Sequence, residues 1–313
     1  MKAIVIVRPG GPEVLQLQEI EDPKPKAEEI LVTVHATGLN RGELLQRKGL
    51  YPPPPGVRED IPGLEFAGVI EKTGERVMGI LPGGGYAEKI VTRKEMTLPI
   101  PKNFSFEEAA AIPEVFLTAY DALFNHLELK NGETLLIHAI GSSVGLAALQ
   151  LAKNMGIKVF GTAGSDEKIA KAKKLGLDKG INYKTENFAE AFKEVDAILD
   201  LVGASYFEKN IQCLNLKGRM VVVGLVGGSD AKINLGALMR KRLKIIGTVL
   251  RSRSVAEKIA LTQDFKKKIL PLFESGAIRP VIDRAYPMEE VAQAHAYMEA
   301  NKNFGKIIVN IKK

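Results

Sequence analysis

The chain has 313 residues, 45% of them apolar, which is enough for a sizeable core and two domains and excludes a disordered polypeptide. Lys and Arg exceed Asp and Glu by 44 − 37 = 7, but there is no Trp and the basic runs Arg240–Arg242 and Lys266–Lys268 are short, so nucleic-acid binding is disfavoured as the main role. The single Cys213 excludes an internal disulfide and a cysteine-rich metal site, and no apolar run reaches the roughly 18 residues of a membrane span.

The first hundred residues read as β-rich. KAIVIV (2–7), EILVTVHATGL (29–39) and LEFAGVIEKTG (64–74) have strand composition, and Pro/Gly clusters at 9–12, 23–25, 52–56 and 81–85 break them. RGELLQRKG (41–49) reads as a short helix. The N-terminal apolar stretch is interrupted too soon, at Arg8-Pro9-Gly10, for a secretory segment, and a soluble cytoplasmic protein is expected.

The texture changes near residue 105. SFEEAAAIPEVFLTAYDALFNHL is helical in period, with Ser105 as N-cap, Glu107 and Glu108 in the first turn, and Pro113 as an interruption. Strands are then expected at 134–139, 157–161, 195–200, 219–224 and 243–249, alternating with helices at 144–155, 166–175, 187–193 and 205–214. Near-continuous apolar strands alternating with helices imply a parallel sheet covered on both faces. Two more helices and the strand GKIIVNI (305–311) follow residue 254, and the pattern alone leaves open which domain they join.

The turn HAIGSSVG (138–145) joins the first of these strands to a helix. A dinucleotide site sets its pyrophosphate on a helix N-terminus, with glycines for the tight turn and close packing. Gly145 stands where the packing glycine would be, Gly141 can serve the turn, and Ser142 and Ser143 offer hydroxyls. On its own the stretch also reads as a plain strand-to-helix turn. About twenty residues on, where a NAD site places a carboxylate, stands Thr162-Ala163-Gly164-Ser165. Ser165 and Lys168 suit a 2′-phosphate, which points to NADP, and Tyr183 suits packing on an adenine. The alternatives are a capped helix and a half-buried strand-edge tyrosine.

These pieces, in this order, resemble the medium-chain dehydrogenase/reductase superfamily over essentially the whole chain. NRGELLQRKGLYPPPPG (40–56), GLEFAGVI (63–70), LPGGGYAE (81–88), TAGSDEK (162–168), INYKTENF (181–188), VLRSR (249–253) and YMEANKNFGKIIV (297–309) are similar to its zinc-free quinone oxidoreductase family, closest to the tumour-suppressor-inducible NADPH quinone oxidoreductase subgroup. The resemblance implies an α/β fold: a GroES-like β-barrel catalytic domain (1–115 and 262–313) beside a Rossmann-type doubly wound parallel sheet (116–261), with the cofactor in the cleft between them.

The zinc alcohol dehydrogenases of the superfamily carry a Cys ligand where this chain has Asn40, and Gly-His-Glu where it has Gly63-Leu64-Glu65. Neither Asn nor Leu replaces those ligands. The four-cysteine lobe is absent, and His35, His126, His138 and His295 show no ligand spacing and read as structural. No metal is expected. Without a Lewis acid, alcohol oxidation is disfavoured and an acceptor that needs little activation is favoured.

The implied catalytic residues are Asn40, Tyr51 and Ser142, facing the nicotinamide and substrate as hydrogen-bond donors. The implied NADP contacts are Ser143, Val144 and Gly145 at the pyrophosphate and Ser165, Lys168 and Tyr183 at the adenosine end. Gly224, Leu225, Leu250, Arg251 and Asn303 complete them, while Lys306 reads as a surface charge. The expected activity is NADPH-dependent reduction of a quinone. An enone or alkene reductase, and a non-enzymatic zeta-crystallin-like protein binding NADPH or RNA, are the alternatives. A homodimer, or a tetramer, joined through the apolar edge LKIIGTV (243–249) is expected.

Overall fold

The computed structural model describes residues 1–312. The chain divides into two compact units: residues 1–117 together with the described residues from 250 onward, and residues 118–249. The resemblance places the second junction at 261/262, whereas the structure has it at 249/250. Residues 250–261 belong with the first unit because Arg251 and Lys258 are buried there and hydrogen-bonded within it.

The first unit is built on a seven-stranded sheet around strand Glu29–Leu39. One side of that strand pairs with Lys89–Arg93 over residues 29–33 and with Lys306–Asn310 over residues 36–39; the other side pairs with Glu65–Ile70. Val32 and Val34 alternate inward with exposed-face neighbours, and Ala36 to Leu39 are all buried. This is the period-2 pattern of a half-buried strand giving way to a fully covered one. Arg76–Ile80, Thr97–Pro99 and Ile282–Pro287 complete the sheet, and Lys2–Ile6 pairs separately with Leu15–Glu19. Ile4, Leu44, Phe66, Tyr86, Met298 and Ile307 are among its core.

Helix Arg41–Arg47 begins at Asn40, whose backbone N–H donates to the Glu43 carboxylate at 2.9 Å. The Ser105 cap is as expected: Ser105 Oγ accepts from Glu108 N–H at 3.1 Å and Glu108 returns the bond at 3.0 Å. Helix Phe106–Ala110 stops there, and Pro113 opens the next helix, Pro113–Tyr120, rather than breaking it, since its missing N–H falls where none is needed.

The second unit is a six-stranded, wholly parallel sheet. Numbered along the chain from Thr134–Ile137, its strands lie in the order 3-2-1-4-5-6, the doubly wound dinucleotide-binding order. Leu135–Ile137 and Ala197–Leu199 have no exposure, as a sheet covered on both faces requires. Strand Lys179–Asn182 and helix Leu235–Lys241 were not expected from sequence. Strand Lys179–Asn182 is one sheet edge and Lys244–Gly247 the other.

Among the described residues no helix is long and apolar enough to cross a membrane.

Candidate functional site

In the second unit, strand Thr134–Ile137 feeds the turn into helix Ser143–Asn154. Ser142 is its N-cap, with Oγ accepting from Gly145 N–H at 3.0 Å. Ser143 and Val144 fill the first turn, where N–H groups have no intrahelical acceptor. A twelve-residue helix therefore presents backbone donors and the positive end of its dipole. Gly145 is glycine for packing: a Cβ there would stand 2.7 Å from the Ala139 carbonyl oxygen. Ala139 has φ +50°, a left-handed conformation that favours glycine.

Beneath the turn runs a buried polar chain. The His138 ring is bonded to Asn210 Oδ1 through Nε2 (2.7 Å) and to Thr162 Oγ1 through Nδ1 (3.0 Å), and Asn210 donates to Asp200 (3.1 Å). The acceptor at Asn210 fixes the imidazole with its proton on Nε2. Burial pushes the His138 pKa down to about 4, so the ring is neutral. Asp200 is turned toward the loop, accepting from the N–H groups of Val202 (2.8 Å) and Gly203 (3.0 Å).

At the next strand end, Ser165 caps helix Asp166–Lys174 by accepting from Lys168 N–H at 3.3 Å. No carboxylate occupies the strand end. Asp166 and Glu167 are exposed on the helix, Glu167 pairing with Lys171 at 2.6 Å. Tyr183 is 45% exposed, edge-on to Tyr206 at 6.2 Å. Gly224 follows strand Leu214–Val222, and a Cβ there would lie 2.8 Å from the Leu201 carbonyl. Leu225, beside it, is 56% exposed. This surface fits the diphosphate and adenosine of a dinucleotide: a capped helix N-terminus, a glycine floor, and an open tyrosine face.

The expected residues of the first unit are placed differently. The Asn40 amide donates to Glu65 at 3.0 Å and to Glu43 at 3.3 Å, and its oxygen accepts from the Lys306 ammonium at 2.5 Å. Its two N–H donors are thus both engaged. Lys306 is not a surface charge; it is 1% exposed and ion-paired with Glu65, itself fully buried. Gly38 makes room for that pair, since a Cβ there would collide with both side chains.

Arg251 donates to the Pro82 carbonyl (2.8 Å), the Tyr51 carbonyl (2.8 Å) and Gln46 Oε1 (2.7 Å), and its guanidinium lies 4.7 Å from the Tyr51 ring centre. Its guanidinium is therefore held inside the first unit, where it fixes the Tyr51 loop. The Asn303 amide closes a local turn onto the Gly305 carbonyl at 2.9 Å. Leu250 is almost fully buried.

Sequence reasoning missed the acidic cluster of Glu43, Glu65 and Glu114. Burial pushes the Glu43 carboxyl up to about 7 against the pull of Lys306. Burial, and then the neighbouring carboxylates of Glu65 and Glu43, push Glu114 up to about 8. Burial foremost, then Glu114, raises the Tyr51 hydroxyl to about 12, so it stays protonated and can only donate or accept hydrogen bonds. Among the described residues no group of three or more His, Cys, Asp or Glu side chains is arranged to hold a metal.

Residues 26–102 match the alcohol dehydrogenase GroES-like domain, and residues 143–273 match the zinc-binding dehydrogenase family. A quinone oxidoreductase of Rattus norvegicus is 34% identical over 99% of this chain and 97% of its own. The chain belongs to the quinone oxidoreductase family of the medium-chain dehydrogenases/reductases. Two solved relatives share its fold. The Thermus thermophilus quinone oxidoreductase, also solved in complex with NADPH, has a TM-score of 0.88 and 33% identity over 99% of this chain and all of its own. That of Escherichia coli, complexed with NADPH, has a TM-score of 0.89 and 31% identity over the same shares. The expected pairing of a GroES-like unit with a Rossmann-type sheet is thus established.

Proposed function

We propose that this chain is an NADPH-dependent quinone oxidoreductase that works without a metal. The observation that carries the reading is the Ser142-capped helix N-terminus over Gly145, beside a strand end at Ser165 that bears no carboxylate. Such a surface favours an anionic ribose substituent over a free 2′-hydroxyl. Relatives across the family that carry the quinone oxidoreductase name, two of them in complex with NADPH, support it.

NADPH, when bound, supplies the hydride. The chain's own residues bind and orient it. Ser143, Val144 and Gly145 would take the pyrophosphate; Ser165, Lys168 and Tyr183 the adenosine end; Gly224 and Leu225 the strand-end loop. Tyr51 in the first unit and Ser142 in the second each offer a hydroxyl donor of the kind that steadies developing negative charge. Asn40 acts through position, tying helix Arg41–Arg47 to Glu65 and Lys306. A reduced quinone can take its proton from solvent, so no side chain is required as an acid.

The test is oxidation of NADPH by 1,4-naphthoquinones, ortho-quinones and enones, before and after treatment with a zinc chelator. Turnover of quinones that survives chelation supports the reading. Turnover of enones alone moves the substrate class to activated alkenes, and NADPH binding without turnover moves the chain to a non-enzymatic role.

The proposed assembly is a homodimer through strand Lys244–Gly247. That edge is unpaired, helix Leu235–Lys241 beside it in the chain buries no residue, and Leu235 and Met239 are 60% and 75% exposed. Light scattering at micromolar concentration reads the mass, and a monomer would refute the dimer.

A further inference from the structure

Lys184 follows Tyr183 at the outer edge of the parallel sheet. Its backbone N–H donates to Asn182 Oδ1 at 3.1 Å, a local turn that ends strand Lys179–Asn182 and reverses the chain. Asn182 is itself buried, so the turn is fixed from below. The Tyr183 backbone N–H donates to the Ala163 carbonyl at 3.1 Å, which ties this turn to the end of strand Lys158–Ala163.

The side chains of Tyr183 and Lys184 lie back across Gly164. A Cβ on Gly164 would stand 2.7 Å from the Tyr183 hydroxyl oxygen and 3.5 Å from Lys184 Cε. Gly164 does not have a positive φ. Its backbone conformation is open to any residue, so what the missing side chain provides is room. The next residue, Ser165, caps the following helix and keeps its hydroxyl proton free to donate, because its oxygen is the acceptor for Lys168 N–H.

The charges around this spot are unequal. On the helix that Ser165 caps, Lys171 is paired with Glu167 at 2.6 Å. Lys184 has no carboxylate partner among the described residues. An exposed lysine side chain without a carboxylate partner among the described residues therefore lies over Gly164, the residue before Ser165.

We infer that Lys184 is a specificity-determining residue for the 2′-phosphate of NADPH, and that Gly164 is glycine so that Lys184 and Tyr183 can lie across it. The inference rests on the reading that this strand end takes the adenosine ribose. A phosphate demands positive charge and hydrogen-bond donors, and Lys184 with Ser165 supplies both; a ribose 2′-hydroxyl gains little from the ammonium.

The test is calorimetric titration of the full chain with NADPH, NADH, adenosine 2′,5′-bisphosphate and AMP. Wild type is compared with Lys184→Ala, Lys184→Arg, Lys168→Ala and Gly164→Ala, each checked for an unchanged unfolding midpoint. Lys184→Ala is expected to weaken NADPH and the bisphosphate roughly tenfold, as loss of one charge-assisted contact does, and NADH and AMP less than twofold. Lys184→Arg retains the preference, and Gly164→Ala reduces it by displacing the two side chains. If Lys184→Ala leaves the NADPH-to-NADH ratio within twofold of wild type while Lys168→Ala lowers it, the phosphate subsite stands and Lys184 is only a solvated lysine. If wild type binds both nucleotides alike, the subsite reading fails and the assignment falls with it.

Discussion

The Lys306 ammonium is seated on the Glu65 carboxylate, with side chains 1% and 0% exposed. Around the pair, Asn40 accepts from Lys306 and donates to Glu65, and Glu65 accepts from Glu114 N–H at 2.8 Å. One cation thus organises the start of helix Arg41–Arg47, the start of helix Pro113–Tyr120 and strand Lys306–Asn310.

Removing that cation should be costly. Lys306→Met leaves Glu65 charged and buried, and the expected loss of stability is about 3–5 kcal/mol by urea unfolding. The double variant Lys306→Met with Glu65→Gln should recover part of it, because no lone charge is left inside. A single-variant loss under about 1 kcal/mol would mean that water reaches the carboxylate and the pair is not dry.

The pH dependence of stability has two limbs. Glu43 and Glu114 titrate at about 7 and about 8 in the folded chain against 4.5 when unfolded. Their contribution is full below pH 4.5 and is lost as pH rises through 7 and 8. His138 and His295 titrate at about 4 and about 3 against 6.5 when unfolded, so theirs is full above pH 6.5 and lost as pH falls through 4 and 3. Stability should therefore be greatest near pH 5–6.5 and decline on both sides. Glu114→Gln should flatten the alkaline limb in urea titrations between pH 5 and 9, and an unaltered slope would show that Glu114 is ionised throughout.

Tyr51→Phe separates catalysis from folding. The hydroxyl makes no hydrogen bond among the described residues, while the ring and backbone are held by Arg251. Stability should stay within about 0.5 kcal/mol of wild type, with kcat for quinone reduction lowered. Arg251→Ala removes three hydrogen bonds and should cost about 2–4 kcal/mol. Undiminished kcat in Tyr51→Phe would return Tyr51 to a loop anchor.

Ala139 gives a test of backbone strain. At φ +50° alanine bears a left-handed cost of about 1–2 kcal/mol, offset in part by the greater freedom glycine loses on folding. Ala139→Gly should be neutral to about 1 kcal/mol stabilising, and Ala139→Val clearly destabilising. Equal midpoints for all three would mean that the turn relaxes out of that conformation.

The second unit was legible in its sequence because buried parallel strands are apolar throughout and its helices carry their caps with them. Strand Lys179–Asn182 escaped because KGIN is four residues with a Gly and a Lys and no period to read. In the first unit, LQLQE at 15–19 and IDRAYP at 282–287 escaped for a related reason, since each buries a single side chain, Leu15 and Tyr286, and so shows no apolar face. The buried charges were the least legible. Glu43 in RGELLQR and Lys306 in GKIIVNI look like surface residues in isolation, and what buries them are partners far away in the chain. A signal existed in LEFAGVI, where a carboxylate opens an otherwise apolar strand, and in Gly38, which no turn required.

Strand Lys306–Asn310 sits between Ile282–Pro287 and Glu29–Leu39, so the sheet of the first unit is sealed by a segment made after the whole of the second unit. During synthesis Asn40 waits without its cation until Lys306, 266 residues on, while the sequence-continuous second unit is already complete. Translation thus imposes an order: the second unit can mature on the nascent chain, and the first, which bears Tyr51, can close only after strand Lys306–Asn310 has emerged.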